Sequence, residues 1–128
     1  MEALKLKKGD VVQRNDAKSP YFRVEKLHNT FVEVKRVNVG KSNVMFEKNL
    51  LKKINHCTLK IHSELMNAIL SEKKDEISHL PTVRWQKILA NQPEVICLYS
   101  EWYPMRFFKV LRVHAENGRI RIIIGEEL

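Results

Sequence analysis

The fold is decided by residues 21–37, which read YFRVEKLHNTFVEVKRV. Apolar and polar side chains alternate on both sides of the turn formers His28, Asn29 and Thr30. Alternation with a period of two places every second side chain on one buried face of a strand. The stretch therefore predicts two antiparallel strands joined by a tight turn.

Further strands are predicted on both sides of this pair. Upstream, Gly9 leads into a short strand that ends in a loop over residues 15–20. Downstream, residues 38–43 turn into a strand that begins at Val44, and residues 47–54 suit either a helical turn or a last strand. Four short strands within about 40 residues predict a curled antiparallel meander of the size of a small barrel.

This meander resembles the SH3-like barrels of KOW and Tudor type over residues 5–54. The resemblance is carried by the segments Lys8-Gly9-Asp10-Val11-Val12, Tyr21-Phe22-Arg23-Val24 and Phe31-Val32-Glu33-Val34. It implies a barrel, and such barrels bind RNA, DNA, ribosomes, polymerases or peptide tails. Fold resemblance alone does not select among these partners.

The pattern becomes helical after residue 62. Apolar side chains at helical spacing over residues 63–80 predict one amphipathic helix, or two, ending before Pro81. Thr82 is the predicted cap of a second short helix over residues 83–90. Strands are predicted again over residues 95–124.

The predicted fold class is therefore α+β. A basic N-terminal antiparallel SH3-like β-meander or barrel spans residues 1–60, and residues 61–128 hold two central helices and a C-terminal β-hairpin. Asn117-Gly118, between alternating apolar runs, marks the turn of that hairpin. Since 128 residues suffice for one domain of ordinary size, we expect the two regions to form one cooperative unit.

The formal charge of +8 is unevenly distributed along the chain. Residues 1–60 hold fourteen Lys and Arg against six acids, whereas residues 61–128 hold nine of each. A basic excess confined to one region predicts a surface there for an acidic partner, such as nucleic acid. The alternative is a solvated face without a partner.

Nucleic-acid binding requires cations for the phosphates, and single strands also use aromatic side chains for the bases. Tyr21 and Arg23 are expected to share the strand face opposite Phe22 and Val24. The predicted contact residues are Arg14, Tyr21, Arg23, Lys35, Arg36, Lys41, Lys48, Lys52 and Lys53. For any single lysine, a solvated surface position is the alternative.

A second candidate site is the loop over residues 100–105, where Trp102 and Tyr103 precede Pro104. Trp and Tyr contribute strongly to binding energy at interfaces, so the loop predicts a contact for a protein partner or a stacked base. The alternative is that one ring folds back onto the core. The second functional hypothesis is accordingly a protein-interaction or inhibitor protein that docks on an acidic partner surface through the basic face and this loop.

No motif for catalysis or a cofactor is present, and we expect neither. His56, Cys57 and His62 lie close together without a zinc-binding spacing, and Cys97 is distant from Cys57, so neither a metal site nor a disulfide is expected. No segment has the apolar length of a secretion signal or a membrane span. The expectation is a cytoplasmic protein with no membrane partner.

Overall fold

The computed structural model describes residues 5–18, 20–39 and 42–128. The chain divides into two compact units. The first unit ends at Ile54 and includes the terminal Leu128, and the second unit spans Asn55–Glu127. Residues 55–60, predicted as part of the basic region, belong to the second unit.

The first unit is a curled antiparallel sheet that forms a half-barrel. Its strands are β1 (Val11–Arg14), β2 (Tyr21–Leu27), β3 (Phe31–Arg36), β4 (Val44–Glu47) and β5 (Leu51–Ile54), arranged in the order β4-β3-β2-β1-β5. A β-bulge lies in β2 between Val24 and Lys26. The two strands predicted from residues 21–37 and the turn between them are confirmed.

The core of the first unit lies on one face of this sheet. Period-two alternation places there the buried side chains of Val12, Phe22, Val24, Val32, Val34 and Leu51. Phe46 packs at the margin, with its ring centroid 5.4 Å from that of Phe22 in an edge-to-face arrangement. Strand β1 differs from its neighbours because Val11 and Val12, which point to opposite faces, are both fully buried.

The second unit is a mixed sheet with two helices. Its elements are β6 (His56–Lys60), α1 (Ser63–Leu70), β7 (Glu76–His79), α2 (Val83–Asn91), β8 (Val95–Tyr99), β9 (Arg106–Glu116) and β10 (Arg119–Glu127). The strand order is β6-β8-β9-β10-β7, in which β6 pairs parallel to β8 and the other neighbours are antiparallel.

The two helices pack on one face of the second sheet. Met66 and Ile69 of α1 and Trp85 and Ile88 of α2 join a core that includes Ile122 of the interior strand β10. Thr82 caps α2 as predicted, and its hydroxyl accepts a hydrogen bond from the Trp85 amide at 3.3 Å. Within the described ranges, no helix has both the length and the apolar character needed to cross a membrane.

The predicted α+β class is wrong, because the described residues are mainly strand, at 49%, with only 17% in helix. The segment predicted as the end of a helix is largely strand β7, where Ile77 pairs with Ile122. Helix α1 stops early: Glu72, just beyond it, adopts a left-handed φ of 61°. The backbone N–H and C=O groups of β7 form hydrogen bonds with β10, in place of the bonds that they would form within a longer helix.

The C-terminal strands also differ from the predicted arrangement. The turn at Asn117-Gly118 is confirmed, with both residues at positive φ and Arg119 paired with Glu116. The two strands it joins do not stand as a separate hairpin, because β9 also pairs with β8 and β10 with β7. They are the interior of a five-stranded sheet.

Candidate nucleic-acid interface

The basic excess of the chain belongs to the first unit. Residues 1–54 hold thirteen Lys and Arg against six acids, whereas residues 55–127 hold ten against nine. Formal charges of +7 and +1 follow. We therefore expect the surface whose positive electrostatic potential would attract an anionic partner to lie on the first sheet.

Strand register divides the predicted cations between the two faces of that sheet. Side chains of directly paired residues in antiparallel strands lie on the same face. Arg36 pairs with the core residue Phe22, whereas Lys35 pairs with Arg23. Lys35 and Arg36 therefore lie on opposite faces of the sheet, so these two predicted contact residues do not share one surface.

The same division applies to the two lysines of β5. Lys53 pairs with the core residue Val12, and Lys52 pairs with Gln13 on the other face. The Lys53 ammonium lies 3.6 Å from a carboxylate oxygen of Asp10, which is only 2% exposed. Asp10 also accepts a hydrogen bond of 2.9 Å from the Lys7 amide. Lys53 thus compensates a buried carboxylate within the fold, which is a structural role.

We use the name outer face for the side of β2, β3 and β4 that points away from the core. By register it carries Arg23, Lys26, Phe31, Glu33, Lys35, Met45 and Glu47. Lys52 lies on the same side at β5. Arg23 and Lys35 are direct cross-strand neighbours in this set.

The pair of Arg23 and Lys35 brings two like charges together. Side chains at directly opposed positions have Cβ atoms about 5 Å apart, and like charges there destabilise a sheet. The Arg23 guanidinium has one acidic neighbour, with Nη1 at 3.9 Å from a Glu25 carboxylate oxygen. Lys35 forms no ion pair with any residue that the structure describes. The pair therefore keeps an excess of positive charge on a half-buried surface.

Tyr21 is not available as a stacking residue. It is 8% exposed, because it lies opposite the buried Gln13 of β1, where both faces of the sheet are covered. The prediction that its ring lies open beside Arg23 is wrong. The modest polarity of a tyrosine ring allows either burial or exposure, and period-two alternation alone does not decide between them.

Two other predicted cations, Arg14 and Lys48, have partners within the fold. The Arg14 guanidinium forms an ion pair of 3.2 Å with Asp16 in the loop after β1. The Lys48 ammonium donates a hydrogen bond of 2.9 Å to the Asn29 carbonyl from a 3-10 turn over Lys48–Leu50. Lys41 lies outside the described residues.

Phe31 and Met45 are exposed apolar side chains on the outer face that the sequence analysis did not select as contact residues. Phe31 is 41% exposed, and Met45 is exposed to a similar extent. Phe31 pairs with Glu47, and Met45 pairs with Glu33, so the two apolar side chains are diagonal neighbours within reach of each other. The sequence did indicate that Phe31 lies on the outer face. Phe31 and Lys35 are separated by an even number of positions on the strand and so share a face, whereas Val32 and Val34 lie on the other.

Glu33 is the acidic residue at the centre of the outer face. Asn43 donates a hydrogen bond of 3.0 Å to one of its carboxylate oxygens, and a ring nitrogen of His28 lies 3.0 Å from the other. These two contacts hold the pKa of Glu33 below its usual range. Lys26, the cross-strand partner of Glu33, adds a smaller effect in the same direction.

In the second unit, Trp102 lies in the loop before β9, on a turn that two hydrogen bonds between Ser100 and Tyr103 close. The Ser100 amide donates to the Tyr103 carbonyl at 3.2 Å, and the Tyr103 amide donates to the Ser100 hydroxyl at 3.1 Å. The Tyr103 ring packs against the core, and its hydroxyl donates to the Asn67 side chain at 3.4 Å. Trp102, at 79%, is the most exposed large apolar side chain in the described ranges. Tyr103 is therefore the ring that folds back, and Trp102 is not.

The histidine and cysteine residues form no metal-binding cluster in the described part of the chain. No group of three His, Cys, Asp or Glu side chains there could hold a metal ion. Burial raises the pKa of the Cys57 thiol to about 11, an effect that the nearby Arg84 opposes. A thiol with this pKa is protonated at neutral pH and is a poor nucleophile.

Comparisons of the chain with protein-family models, with curated proteins and with solved structures find no significant match.

Proposed function

We propose that this protein binds nucleic acid through phosphate contacts on the outer face of the first sheet. The observation that carries the proposal is the cross-strand pair of Arg23 and Lys35. Two like charges held opposite each other repel, and a phosphate placed between them removes that cost while gaining two charge-assisted hydrogen bonds. Of the nine predicted contact residues, Arg23 and Lys35 form the centre of the proposed site.

Further cations surround this pair. Lys26 lies on the outer face two register positions from Arg23, beyond the bulge, and Lys52 lies on the same side two strands away. Lysine contacts a phosphate as a point charge, and arginine contacts it through two parallel hydrogen bonds. Neither contact distinguishes one base from another. The proposed binding is therefore governed by charge and salt, with little dependence on base sequence.

The experiment is fluorescence anisotropy with labelled oligonucleotides at about 50 and 200 mM salt. We expect the affinity of the natural chain to fall steeply with salt. The double variant Arg23→Gln/Lys35→Gln should bind more weakly and should reduce the slope of log K against log salt by about 1.4 to 1.8.

The matched control is Arg36→Gln/Lys87→Gln, which removes the same charge from the inner side of β3 and from helix α2. Its salt slope should change less than that of the Arg23 and Lys35 variant. Equal weakening by the two double variants would show a diffuse charge effect and not a site. Absence of binding at the lower salt would refute the proposal.

Trp102 supports a second candidate function, docking on a protein partner. Its ring is exposed on a turn whose two ends are hydrogen-bonded, so little conformational entropy is lost when a partner covers it. This candidate predicts a stoichiometric protein partner that co-purifies without nucleic acid and is lost in Trp102→Ala. The control Val83→Ala truncates another highly exposed apolar side chain of the second unit and should retain the partner.

A further inference from the structure

We infer that the nucleic acid bound at the outer face is single-stranded and that Phe31 stacks on one of its bases. This inference rests on the proposed function, because it assumes that phosphates bind at Arg23 and Lys35. It replaces the predicted stacking residue Tyr21, which is buried, with a side chain of the same sheet that is exposed.

Strand β3 presents a stacking group and a phosphate-binding group on one face. Phe31, Glu33 and Lys35 follow each other on the outer face, and successive same-face residues in a strand lie about 7 Å apart. The ring of Phe31 is therefore about 13 to 14 Å along the strand from Lys35 and the Arg23 beside it. This distance is spanned by a short stretch of nucleotide chain.

Met45 completes an apolar platform beside Phe31. A phenylalanine ring and a methionine thioether at diagonal positions form a continuous apolar surface for the flat face of a base. Phe31 and Met45 have no polar group that would compete for the base by hydrogen bonding. Their exposure costs hydration free energy in the free protein, and a stacked base removes that cost.

Glu33 separates the apolar platform from the phosphate-binding cations. Its ionised carboxylate is held by Asn43 and His28 and would repel a phosphate placed over it. The phosphates are thus directed to the side of Arg23 and Lys35, and the region of Phe31 is left to an uncharged group. A single strand that stacks a base on Phe31 and places the phosphate of a nearby nucleotide at Arg23 and Lys35 has this distribution of charge.

Stacking on Phe31 requires an unpaired base. In a duplex the flat faces of the bases already stack on each other, and only the base edges reach the grooves. In a single strand a base can be splayed out and stacked on an aromatic ring, in DNA and in RNA alike. The outer face therefore suits an unpaired strand.

The test compares labelled single-stranded DNA, single-stranded RNA and duplexes of equal length with the full chain at fixed salt. We expect single strands to bind more tightly than duplexes. Phe31→Ala should weaken single-strand binding by about 5- to 150-fold with little change in salt slope, because the lost interaction is stacking and not charge. Phe31→Trp should restore it.

Leu27→Ala is the matched control. Leu27 is 40% exposed, close to the value for Phe31, but its register partner is the core residue Val32, which places it on the inner side. Its affinity should equal that of the natural chain. Phe31→Leu retains an apolar side chain and removes only the ring, so it keeps the test valid if Phe31→Ala does not fold. Preference of one single strand over the other would assign the site to DNA or to RNA.

The outcomes separate this inference from the proposed function. Salt-dependent binding that is lost in the Arg23 and Lys35 variant but unchanged in Phe31→Leu, or equal for duplex and single strand, overturns the inference and leaves the proposed function standing. No salt-dependent binding by the natural chain overturns both. A protein partner lost in Phe31→Leu, without nucleic-acid binding, also overturns both.

Discussion

Cross-strand cations in the two sheets differ in their acidic neighbours. In the second unit, Arg121 donates to Glu76 at 2.9 Å and lies 3.6 Å from Glu116, and Arg106 pairs with Glu127. In the first unit, among the described residues, Arg23 has an acidic neighbour only in Glu25, at 3.9 Å, and its cross-strand neighbour Lys35 forms no ion pair. Both sheets have five strands and carry several arginines and lysines. The comparison teaches that pairing within the fold, more than net charge, distinguishes cations that complete a fold from cations available to a partner.

The largest effect is expected from a cavity in the second core. Ile122→Ala removes a fully buried side chain of β10 and should lower the free energy of unfolding by about 2 to 5 kcal/mol. Hydrogen exchange read residue by residue during urea unfolding would test whether the first unit loses protection together with the second. Simultaneous loss would confirm one cooperative unit, and persistent protection of Val34 and its neighbours would show two.

Charge reversal sharpens the comparison at the level of binding. Arg23→Glu/Lys35→Glu should weaken oligonucleotide binding by about two orders of magnitude at low salt, because repulsion replaces two phosphate contacts. Lys60→Glu/Lys87→Glu makes the same change of net charge on exposed positions of the second unit and should have a small effect. Anisotropy titrations measure both, and equal losses would contradict the difference between the units.

Two neighbouring lysines provide a test of structural against available cations within the first unit. Lys53→Gln leaves the buried Asp10 carboxylate without its cation and should cost about 1 kcal/mol, a value reduced by the partial exposure of the ammonium. Lys52→Gln should leave stability almost unchanged. Thermal or urea unfolding measures both variants, and a larger loss for Lys52→Gln would show that the register argument is incorrect.

The smallest effect concerns Glu33. Because its pKa in the folded state is lowered, first by Asn43 and then by His28, its contribution to stability is present above the unfolded pKa. That contribution is lost as the pH falls through the folded pKa, below the ordinary glutamate range of about 4.3. Carboxyl titration by NMR should show a lowered pKa that moves upward in Asn43→Ala. An unshifted value in the natural chain would contradict the hydrogen-bond arrangement.

Local patterns of the sequence predicted the features that depend on neighbouring residues. The alternation over residues 21–37, the cap at Thr82 and the turn at Asn117-Gly118 each follow from short-range stereochemistry. Strand β7 was missed because four residues with one buried side chain, Ile77, fit a helical pattern equally well. Its identity depends on pairing with β10, more than forty residues away in the chain.

The candidate site was predicted in composition but not in arrangement. Arg23 and Lys35 were selected from the sequence, and the structure places them side by side. Tyr21 was predicted as a contact residue because it shares a strand face with Arg23, opposite Phe22 and Val24, and no local signal says that both faces are covered at that point of β2. Phe31 could have been predicted from the strand pattern, because every second residue counted back from Lys35 along β3 lies on the same face. Alternation in the sequence shows which residues share a face of the sheet. Whether that face is buried depends on tertiary packing, which the alternation does not report.

The bulge in β2 sets the phase of the alternation along that strand. Arg23 and Lys26 are three residues apart, a spacing that places side chains on opposite sides of a regular strand. The extra residue between Val24 and Lys26 shifts the downstream half by one step, so both cations reach the side that also carries Lys35. If Glu25 were instead paired in a regular ladder, Lys26 would turn toward the apolar interior and Leu27 would come out in its place. The bulge, and not only the composition of β2, therefore determines the sign of the surface that this strand presents.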